Sequence, residues 1–321
     1  MSATRPEVLV LGAGIAGLAS AVRLAEAGFP VRVVSKDRPE ATTSAVAAAL
    51  WHPFHAEPPD RVLRWCRASF AVYEAEAGEP GSGVRMRPLV EYHRRPAAWP
   101  SWAEAVPDLR RVPPPPGFAA ALACTVPVAE SPVYLRRLEA RLARLGVPIE
   151  AGVEVGHLRE VVRPGRVVVV CTGLGSQRLL DDAALYPIRG QIVLVDNPGL
   201  DRVVLDEDDA DALTYLIPRS DDVIVGGTTL RGVWNTEPDP ATTEAILERA
   251  VRLEPRLAAA AVRAVRVGLR PGRTAVRLEA ERWSNGGGVV YNLGHGGSGY
   301  TLAWGCADEV VDEVRALVAD G

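Results

Sequence analysis

Hydrophobic residues near the N-terminus occur first as a continuous run and then at a helical spacing. The run Val8 to Leu11 predicts a strand that is buried on both faces. Leu18, Val22 and Ala25 then recur as on one face of a helix, before a second apolar run from Val31 to Val34. The pattern therefore predicts a strand, a helix and a parallel second strand.

Later segments continue the same alternation. Ser131 and Pro132 suit the start of a helix. The apolar face of that helix consists of Leu135, Leu138, Leu142 and Leu145. The segment from Arg166 to Gly173 predicts another buried strand, which ends in small residues beside a ligand. Proline-rich stretches at 96–100 and 113–117 predict loops. We therefore expect an α/β fold whose domains are interwoven.

Three glycines connect the first strand to the first helix in the pattern Gly-x-Gly-x-x-Gly. Gly12 allows the tight turn, Gly14 lets the backbone approach a pyrophosphate, and Gly17 lets the helix lie against the sheet. The N-terminus of the helix directs its amide groups at the anion. Because the motif lies within a complete strand–helix–strand unit, it predicts a bound dinucleotide; a glycine turn used only for packing is the alternative.

Length and charge narrow the functional classes. The chain has 321 residues, more than one ordinary core serves, and a net charge of −4. Arginine and glutamate are interspersed without a basic face, so we expect no nucleic-acid partner. No stretch has the apolar length of a membrane span, and the N-terminus leads into the first strand without a signal-peptide core. We therefore expect a cytoplasmic protein with no membrane partner.

The cysteines are far apart and form no Cys-x-x-Cys pair. Cys66, Cys124, Cys171 and Cys306 lie in apolar or small-residue stretches. Free buried thiols are therefore favoured over disulfides or metal ligands, and we expect no metal.

A second glycine loop lies between Tyr291 and Thr301 and precedes another apolar helix. A helix N-terminus offers amide groups and positive potential to developing negative charge. A reduced flavin acquires such charge over its pyrimidine edge, whereas a nicotinamide loses charge on reduction. The loop therefore favours FAD over NAD, and an NAD-linked dehydrogenase is the competing class. We interpret His295 in this loop as a shape or hydrogen-bonding residue rather than a general base.

Five segments occur in an order that resembles the D-amino-acid oxidase family. They are Gly12 to Gly17, Thr42 to Trp51, Arg189 to Gln191, Gly268 to Pro271, and His295 to Gly299. The resemblance spans nearly the whole chain. It implies a Rossmann-type FAD-binding domain made of residues 1–84, 129–182 and 268–321. A substrate-binding domain on a mixed, largely antiparallel sheet would comprise residues 85–128 and 183–267.

The resemblance also implies a reaction. It is the oxidative deamination of a D-amino acid by oxygen to a 2-oxo acid, ammonia and hydrogen peroxide. Arg270 and Tyr215 match the residues that hold the substrate carboxylate, and Gly297 matches the backbone carbonyl that receives the amine. A guanidinium suits its task because bidentate pairing fixes the carboxylate plane. Hydride would pass from Cα to flavin N5, so side chains position the substrate rather than exchange protons.

The resemblance assigns many residues to FAD. Ser35, Lys36 and Asp37 follow the second strand with the acidic position shifted, which leaves the partner of the adenosine ribose open. The other residues assigned to FAD are Gly12, Ala13, Gly14, Ile15, Ala16, Gly17, Thr42, Thr43, Ser44, Ala48, Ala49, Leu50, Thr172, Gly173, Arg270, Gly296, Gly297, Gly299, Tyr300 and Thr301.

The expected substrate pocket is mostly apolar. Its residues by resemblance are Leu50, His52, Phe54 and Ile217, so we expect neutral D-amino acids to be preferred and basic ones tolerated. We interpret the acidic run Asp206 to Asp211 as a solvated turn in preference to a substrate contact; as an acidic lid it would disfavour acidic substrates. His52 and Arg231 are the candidate cations for a D-aspartate oxidase.

Other functional classes stay open at this point. Within flavoenzymes, a D-aspartate oxidase or a glycine or sarcosine oxidase is the alternative. Outside them, a non-catalytic nucleotide-binding module would keep the first glycine loop but would need neither the second loop nor the matching arginine. The expected partners are a D-amino acid and oxygen, and we consider a homodimer as the assembly.

Overall fold

Strands and helices alternate along the chain. The computed structural model describes residues 5–53, 56–208 and 213–319. The strands are β1 (Glu7–Leu11), β2 (Val31–Ser35), β3 (Val84–His93), β4 (Arg110–Val112), β5 (Ala120–Ala129), β6 (Ile149–Ala151), β7 (Arg166–Val170), β8 (Tyr186–Asp196), β9 (Val203–Asp206), β10 (Thr214–Pro218), β11 (Asp222–Gly226), β12 (Leu230–Arg231), β13 (Val262–Gly272), β14 (Arg277–Arg282) and β15 (Gly288–Leu293). The helices are α1 (Ile15–Glu26), α2 (Thr43–Val46), α3 (Pro59–Ala77), α4 (Ser131–Arg144), α5 (Gly175–Leu179), α6 (Pro240–Leu253) and α7 (Gly299–Ala319).

The first sheet is parallel at its centre. Its strand order is β14-β15-β7-β1-β2-β6, and among these described strands β14 alone runs antiparallel to its neighbour. Val8 of β1 pairs with Val31 on one side and with Val167 on the other. The predicted strands β1, β2 and β7 and the predicted helix α4 are therefore confirmed. In such a sheet the ligand binds at the carboxyl ends of the strands.

Different layers cover the two faces of β1. Val8 and Val10 belong to a core formed with α1, α3, α4 and α7, whereas Leu9 and Leu11 belong to a second core on the other face. Because both faces are buried, every central position of the strand is apolar instead of alternating.

The second sheet is mixed and largely antiparallel, as expected. The strands β12, β8, β11, β10, β9, β3, β5 and β4 follow one another in this order, and β13 also pairs with β8. β3 and β9 form the parallel pair among its described strands. β13 pairs with β8 over Val262 to Gly272, which places Arg270 opposite Ile188. The exact division of the chain into two domains stays a prediction.

The remaining expectations about the framework concern loops, thiols and membranes. Residues 96–100 and 113–117 lie outside helices and strands, as their prolines predict. The four cysteines are free and buried. Within the described ranges, no helix combines the length and apolar character that a membrane crossing requires.

Candidate active site

The first glycine loop is held by contacts that leave no room for side chains. Gly12 has a φ of +105°, and a Cβ there would lie 2.4 Å from the carbonyl oxygen of Cys171, just after β7. A Cβ on Gly17 would lie 2.0 Å from the carbonyl oxygen of Gly12. The N-terminal turn of α1 therefore lies directly on the loop, and the backbone of the loop is free to contact a ligand.

A cavity of about 540 Å³ begins at this loop and reaches Arg270 and Tyr215 in the second sheet. It brings together most of the residues predicted for FAD and substrate. Those that line it are Gly12, Ala13, Gly14, Ile15, Ala16, Ser35, Lys36, Asp37, Thr42, Thr43, Ser44, Ala48, Ala49, Leu50, His52, Thr172, Gly173, Tyr215, Ile217, Arg270, Gly296, Gly297, Gly299 and Tyr300.

Two of the predicted site residues that the structure describes, Gly17 and Thr301, are not among the residues that line this cavity. Gly17 packs against the glycine loop instead. The Thr301 hydroxyl accepts a hydrogen bond from the backbone amide of His52 at 3.1 Å and donates to the carbonyl oxygen of His52 at 3.0 Å. Thr301 thus fixes the segment that carries His52. Phe54 lies outside the described residues.

Two serine hydroxyls fix the backbone of the first loop. Ser35 accepts a hydrogen bond from the amide of Ala13 at 3.2 Å, and Ser44 accepts one from the amide of Ile15 at 3.0 Å. The hydroxyl of Tyr300, at the start of α7, donates to the carbonyl oxygen of Ser44 at 3.0 Å. The second glycine loop is therefore tied to the first through Ser44.

A second connection between the two loops runs through His295. Its Nε2 lies 3.0 Å from the side-chain oxygen of Asn292, and the Asn292 amide donates to the Ser20 hydroxyl of α1 at 3.1 Å. Burial lowers the pKa of His295 to about 4. The neutral imidazole therefore donates from Nε2 to Asn292, which supports the hydrogen-bonding interpretation of this residue. The sequence does not reveal Asn292 or Ser20 as its partners, because they lie on β15 and α1.

Glycines opposite Arg270 and Tyr215 make room for both side chains. A Cβ on Gly190 would lie 2.5 Å from the guanidinium nitrogens of Arg270, and a Cβ on Gly226 would lie 2.4 Å from the hydroxyl of Tyr215. Arg270 Nη1 donates to the carbonyl oxygen of Thr228 at 3.0 Å. Burial raises the pKa of Tyr215, and the nearby Arg270 partly opposes this effect.

The two residues that flank Gly190 each have a structural role. Arg189 is buried and donates to the carbonyl oxygens of Asn235 and Glu237 at 2.9 and 2.7 Å. The Gln191 side chain donates to the carbonyl oxygen of Asp239 at 2.8 Å. Arg189 and Gln191 therefore anchor the segment after β12, while Gly190 leaves space for Arg270.

The acidic run after β9 differs from the solvated turn that we expected. Asp206 is a buried residue at the end of β9 and pairs with Arg94. Glu207 lines the cavity, whereas Asp208 lies 3.1 Å from Nδ1 of His93. The prediction is wrong for Asp206, which is buried at the end of the strand, and for Glu207, which lines the cavity; Asp208 is exposed in a bend, as a solvated turn predicts. Residues 209–211 lie outside the described part.

Glu207 belongs to a buried acid–histidine cluster that the sequence did not reveal. The Oε2 atoms of Glu91 and Glu207 lie 3.8 and 3.9 Å from the two ring nitrogens of His52. Burial disfavours the protonated imidazole, but the two carboxylates outweigh it and raise the pKa of His52. Burial also raises the pKa of Glu207, whereas His52 and His93 overcome burial and lower the pKa of Glu91.

Arg231, the other cation considered for an acidic substrate, lies at a smaller side cavity. Its guanidinium is 3.8 Å from the ring centroid of Tyr186. The side cavity, about 190 Å³, is also lined by Glu57, Glu207 and Arg270. Arg231 is therefore stacked on an aromatic ring in a cavity that Glu57 and Glu207 also line, and His52 lies between Glu91 and Glu207.

The cavity fits an extended dinucleotide such as FAD. At one end the side-chain-free backbone of Gly12 and Gly14 lines it, and a Cβ on Gly14 would come within 2.9 Å of the Ser44 hydroxyl oxygen. Lys36 and Asp37 line it near the end of β2, where an adenosine ribose binds in folds of this type. The N-terminus of α7 lies on its wall at Gly299 and Tyr300 and offers positive potential to a flavin ring.

Comparison with known proteins agrees with this geometry. The sequence model of the DAO family, which is described as FAD dependent oxidoreductase, matches residues 7–313. The chain belongs to the DAO family. A D-amino-acid oxidase from Rubrobacter xylanophilus is 50% identical over 305 residues, which cover 94% of this chain and 93% of the relative. A D-amino-acid oxidase from Streptomyces coelicolor is 41% identical over 306 residues, which cover 94% of this chain and 95% of the relative. FAD is therefore the cofactor.

A solved structure shows that the fold is shared more widely than the sequence. Glycine oxidase from Geobacillus kaustophilus superposes with a TM-score of 0.81 at 19% identity, and the match covers 98% of this chain and 95% of that chain. The α/β fold with a parallel FAD-binding sheet and a mixed second sheet, as expected for a DAO protein, is confirmed.

The space opposite Arg270 gives a first testable prediction. In Gly190→Ala, the new methyl group displaces the guanidinium, so a small carboxylate such as propionate should bind roughly 10- to 100-fold more weakly, the usual effect of a lost charge-assisted hydrogen bond. Calorimetric titration of the flavin-loaded protein measures this. Gly78→Ala is the control, because its Cβ would lie 3.8 Å from its nearest neighbour, the Ala75 carbonyl oxygen. Equal affinities in both variants would contradict the placement of Arg270.

The buried imidazole of His295 gives a second prediction, about stability and pH. Its pKa is about 4 in the folded protein, so on acidification the unfolded chain binds a proton first and the folded state loses stability. Between about pH 7.5 and about pH 5, His295→Gln should lose about 2 kcal/mol less unfolding free energy than the parent. His52, whose pKa is raised, acts in the opposite direction but is present in both proteins.

Urea unfolding of the flavin-loaded proteins at the two pH values measures the difference. The control is His157→Gln, because the side chain of His157 is exposed. An identical pH dependence in the parent and in His295→Gln would mean that His295 is not buried as a neutral imidazole.

Proposed function

We propose that the protein is a D-amino-acid oxidase, in which Arg270 holds the substrate carboxylate. One observation carries the proposal. Arg270 lines the FAD-binding cavity beside Tyr215, and within the described ranges no carboxylate forms an ion pair with it. A guanidinium that lines a partly closed cavity and is not held by an ion pair is suited to bind an anionic ligand. The identities of 50% and 41% to D-amino-acid oxidases support the same activity.

The site positions a substrate by three contacts. Arg270 and the hydroxyl of Tyr215 bind the α-carboxylate, and the backbone carbonyl of Gly297 accepts an N–H of the α-amine. All three groups line the cavity. Holding both ends of the amino acid fixes the direction of its Cα–H bond, which replaces translational and rotational searching by a prearranged geometry.

The proposed reaction converts a D-amino acid, oxygen and water into a 2-oxo acid, ammonia and hydrogen peroxide. FAD, when bound, supplies the two-electron redox chemistry and passes the electrons to oxygen. The protein contributes binding and orientation. His295 is neutral and hydrogen-bonded to Asn292, and so is not available as a base in this arrangement.

A peroxide-coupled screen tests the proposal most directly. Both enantiomers of each amino acid, glycine and sarcosine are offered to the flavin-loaded protein, and peroxide formation is recorded. Turnover of D-enantiomers alone supports the proposal, whereas turnover of glycine or sarcosine alone favours those amine oxidases. Reduction of NAD without peroxide would indicate a dehydrogenase, and no turnover of any kind would indicate a non-catalytic nucleotide-binding module.

We also propose a homodimer in the cytoplasm. The free, buried state of the four cysteines suits a reducing compartment. β12 and the segment after it expose Leu230, Val233 and Trp234, apolar side chains of the kind that an interface between subunits covers. Light scattering of the purified protein and fractionation of cells test the two statements separately.

The state of the cofactor gives a third prediction. We expect FAD to be bound tightly but without a covalent bond. Cys171 lines the cavity, but burial raises the pKa of its thiol to about 12, so it is a poor nucleophile. Acid precipitation should therefore leave a yellow supernatant and a colourless pellet. A yellow pellet would contradict noncovalent binding, and absence of flavin after reconstitution would contradict the assignment of FAD.

The carboxylate contacts give a fourth prediction. Arg270→Ala should lower kcat/KM by roughly thirty-fold to several thousand-fold, the usual result of removing one partner of a desolvated ion pair. Tyr215→Phe removes one neutral hydrogen bond and should lower kcat/KM by roughly two- to tenfold. Flavin content should stay unchanged. Arg266→Ala is the control, because Arg266 is exposed on the same strand. Near-parental efficiency of Arg270→Ala would reject the assignment.

A further inference from the structure

The substrate end of the cavity has a second charged wall, whose sign is opposite to that of Arg270. Glu207 lines the cavity together with Leu213 and Ile217, and its side chain is 15% exposed. Its Oε2 atom lies 3.9 Å from Nδ1 of His52, an ion-pair distance that is too long for a hydrogen bond. Among the described residues, the Glu207 carboxylate therefore has no hydrogen-bond donor.

The cluster around Glu207 carries more negative than positive charge. One oxygen each of Glu91 and Glu207 and one ring nitrogen of His52 lie within 4.8 Å of one another. A single imidazolium can neutralise only one of these two carboxylates. His93 lies 3.8 Å from Glu91 but is also paired with Asp208 at 3.1 Å. Glu91 therefore has an imidazole on two sides, whereas Glu207 has, among the described residues, the one 3.9 Å contact to His52 and the longer-range attraction of Arg270 and His93.

A second observation points to a ligand. The Nε2 atom of His52 faces Glu91 Oε2 at 3.8 Å, beyond hydrogen-bond distance, and is buried without another partner among the described residues, although its side chain lines the cavity and is 10% exposed. Buried polar groups are ordinarily satisfied, and an unsatisfied group on a cavity wall can be completed by a ligand or water that enters the cavity. A cationic group that entered the cavity would give Glu207 the hydrogen bonds that it lacks.

We propose that Glu207 recognises the side-chain cation of basic D-amino acids, and that a substrate with a guanidinium or ammonium group is favoured over a neutral one of the same shape. This inference rests on the proposed function. Arg270 would bind the carboxylate of such a substrate and Glu207 its side-chain cation, so that the two ends of the molecule meet opposite charges. Arginine and lysine side chains also have the aliphatic stem that Leu213 and Ile217 accommodate.

The proposal replaces the expectation that an acidic lid attracts basic substrates. Asp206 and Asp208 are held by Arg94 and His93, and neither lines the cavity. Acidic substrates are disfavoured by the same wall, because their side-chain carboxylate would lie beside Glu207 and Glu91. The imidazole of His52 is already shared between these two carboxylates.

A matched pair of substrates isolates the side-chain charge. D-Arginine and D-citrulline have nearly the same shape, but citrulline carries a neutral urea group. In Glu207→Gln, the ratio of kcat/KM for D-arginine to that for D-citrulline should fall roughly 10- to 100-fold from its parental value. In Asp208→Asn, the control, the ratio should stay at its parental value. Glu207→Asp keeps the charge and should give an intermediate ratio.

The pH dependence of this ratio is a second measurement. The guanidinium stays charged throughout, so the ratio should rise with pH as the Glu207 carboxyl ionises, and the rise should be smaller in Glu207→Gln. The groups that face Glu207 are His52, Glu91, His93, Arg270 and Tyr215. The titration of His52 and Glu91 also acts on the guanidinium, so the part that belongs to Glu207 is the difference between the pH profile of the parent and that of Glu207→Gln.

Binding without turnover separates this proposal from the proposed function. The desamino analogues of arginine and citrulline keep the carboxylate and the side chain but have no amine to oxidise. Calorimetry on the flavin-loaded parent should show tighter binding of the guanidinium analogue, and Glu207→Gln should abolish the preference. Addition of EDTA should change nothing; a preference that depends on EDTA would mean that the cluster binds a metal ion instead.

Three results would overturn the proposal. Equal losses for D-arginine and D-citrulline in Glu207→Gln would show that Glu207 contacts the amine or only supports the fold. A parental preference for D-citrulline or D-aspartate would show that the wall does not select cations. Equal binding of the two desamino analogues would also show that the wall does not select cations, and this result would not depend on catalysis. If the analogues are distinguished but no D-amino acid is oxidised, the proposed function fails and the recognition of the cation stands.

Discussion

The hydrogen bond from the Asn292 side chain to Ser20 joins the two glycine loops on which the site depends. Asn292 lies on β15 and Ser20 on α1, so this bond links the C-terminal part of the chain to the first helix. His295 completes the link by donating to Asn292. Ser20, Asn292 and His295 are all buried. Loss of either hydrogen bond would therefore leave a buried polar atom without a partner, which costs far more free energy than the same loss in water. The two helix N-termini are therefore held at fixed positions on one cavity.

The second sheet carries Arg270 and Tyr215, the groups that we propose contact the substrate, and glycines on neighbouring strands make room for them. Arg270 and Tyr215 lie on different strands, and each occupies space that a neighbouring glycine leaves free. Gly190 and Gly226 are thus as necessary for the geometry as the two functional side chains. The residues flanking Gly190 anchor the segment after β12, so the same short motif fixes a loop and makes room for the guanidinium.

The two ends of the cavity differ in how their charge arises, and each kind of charge suits a different ligand. The FAD-binding end relies on backbone amides and helix N-termini, which favour negative charge without a titratable group. At the substrate end, Arg270 and the Glu207 cluster have opposite signs and lie in the same cavity. The reaction itself needs no ionisable base from these residues. In the proposed function, their charges select and orient a zwitterionic molecule.

The sequence by itself determined the parts of the protein that depend on neighbours along the chain. Local spacing predicted β1, α1 and β2, because a buried strand and an amphipathic helix each have a characteristic period. The glycine motif predicted the dinucleotide for the same reason, since its three glycines act within one turn. The resemblance of five segments to a known family added the second sheet and the residues Arg270 and Tyr215.

Only the tertiary structure decided the features that arise between distant segments. Glu207, Glu91 and His52 lie on separate parts of the chain, and no local pattern distinguishes Glu207 from its acidic neighbours. The strand pairing that buries Asp206 also turns Glu207 into the cavity and leaves Asp208 with His93. Likewise, Asn292 and Ser20 meet only because β15 and α1 pack together. Burial and pairing of charges are properties of the packed molecule. They determine which of several neighbouring acidic side chains faces the cavity.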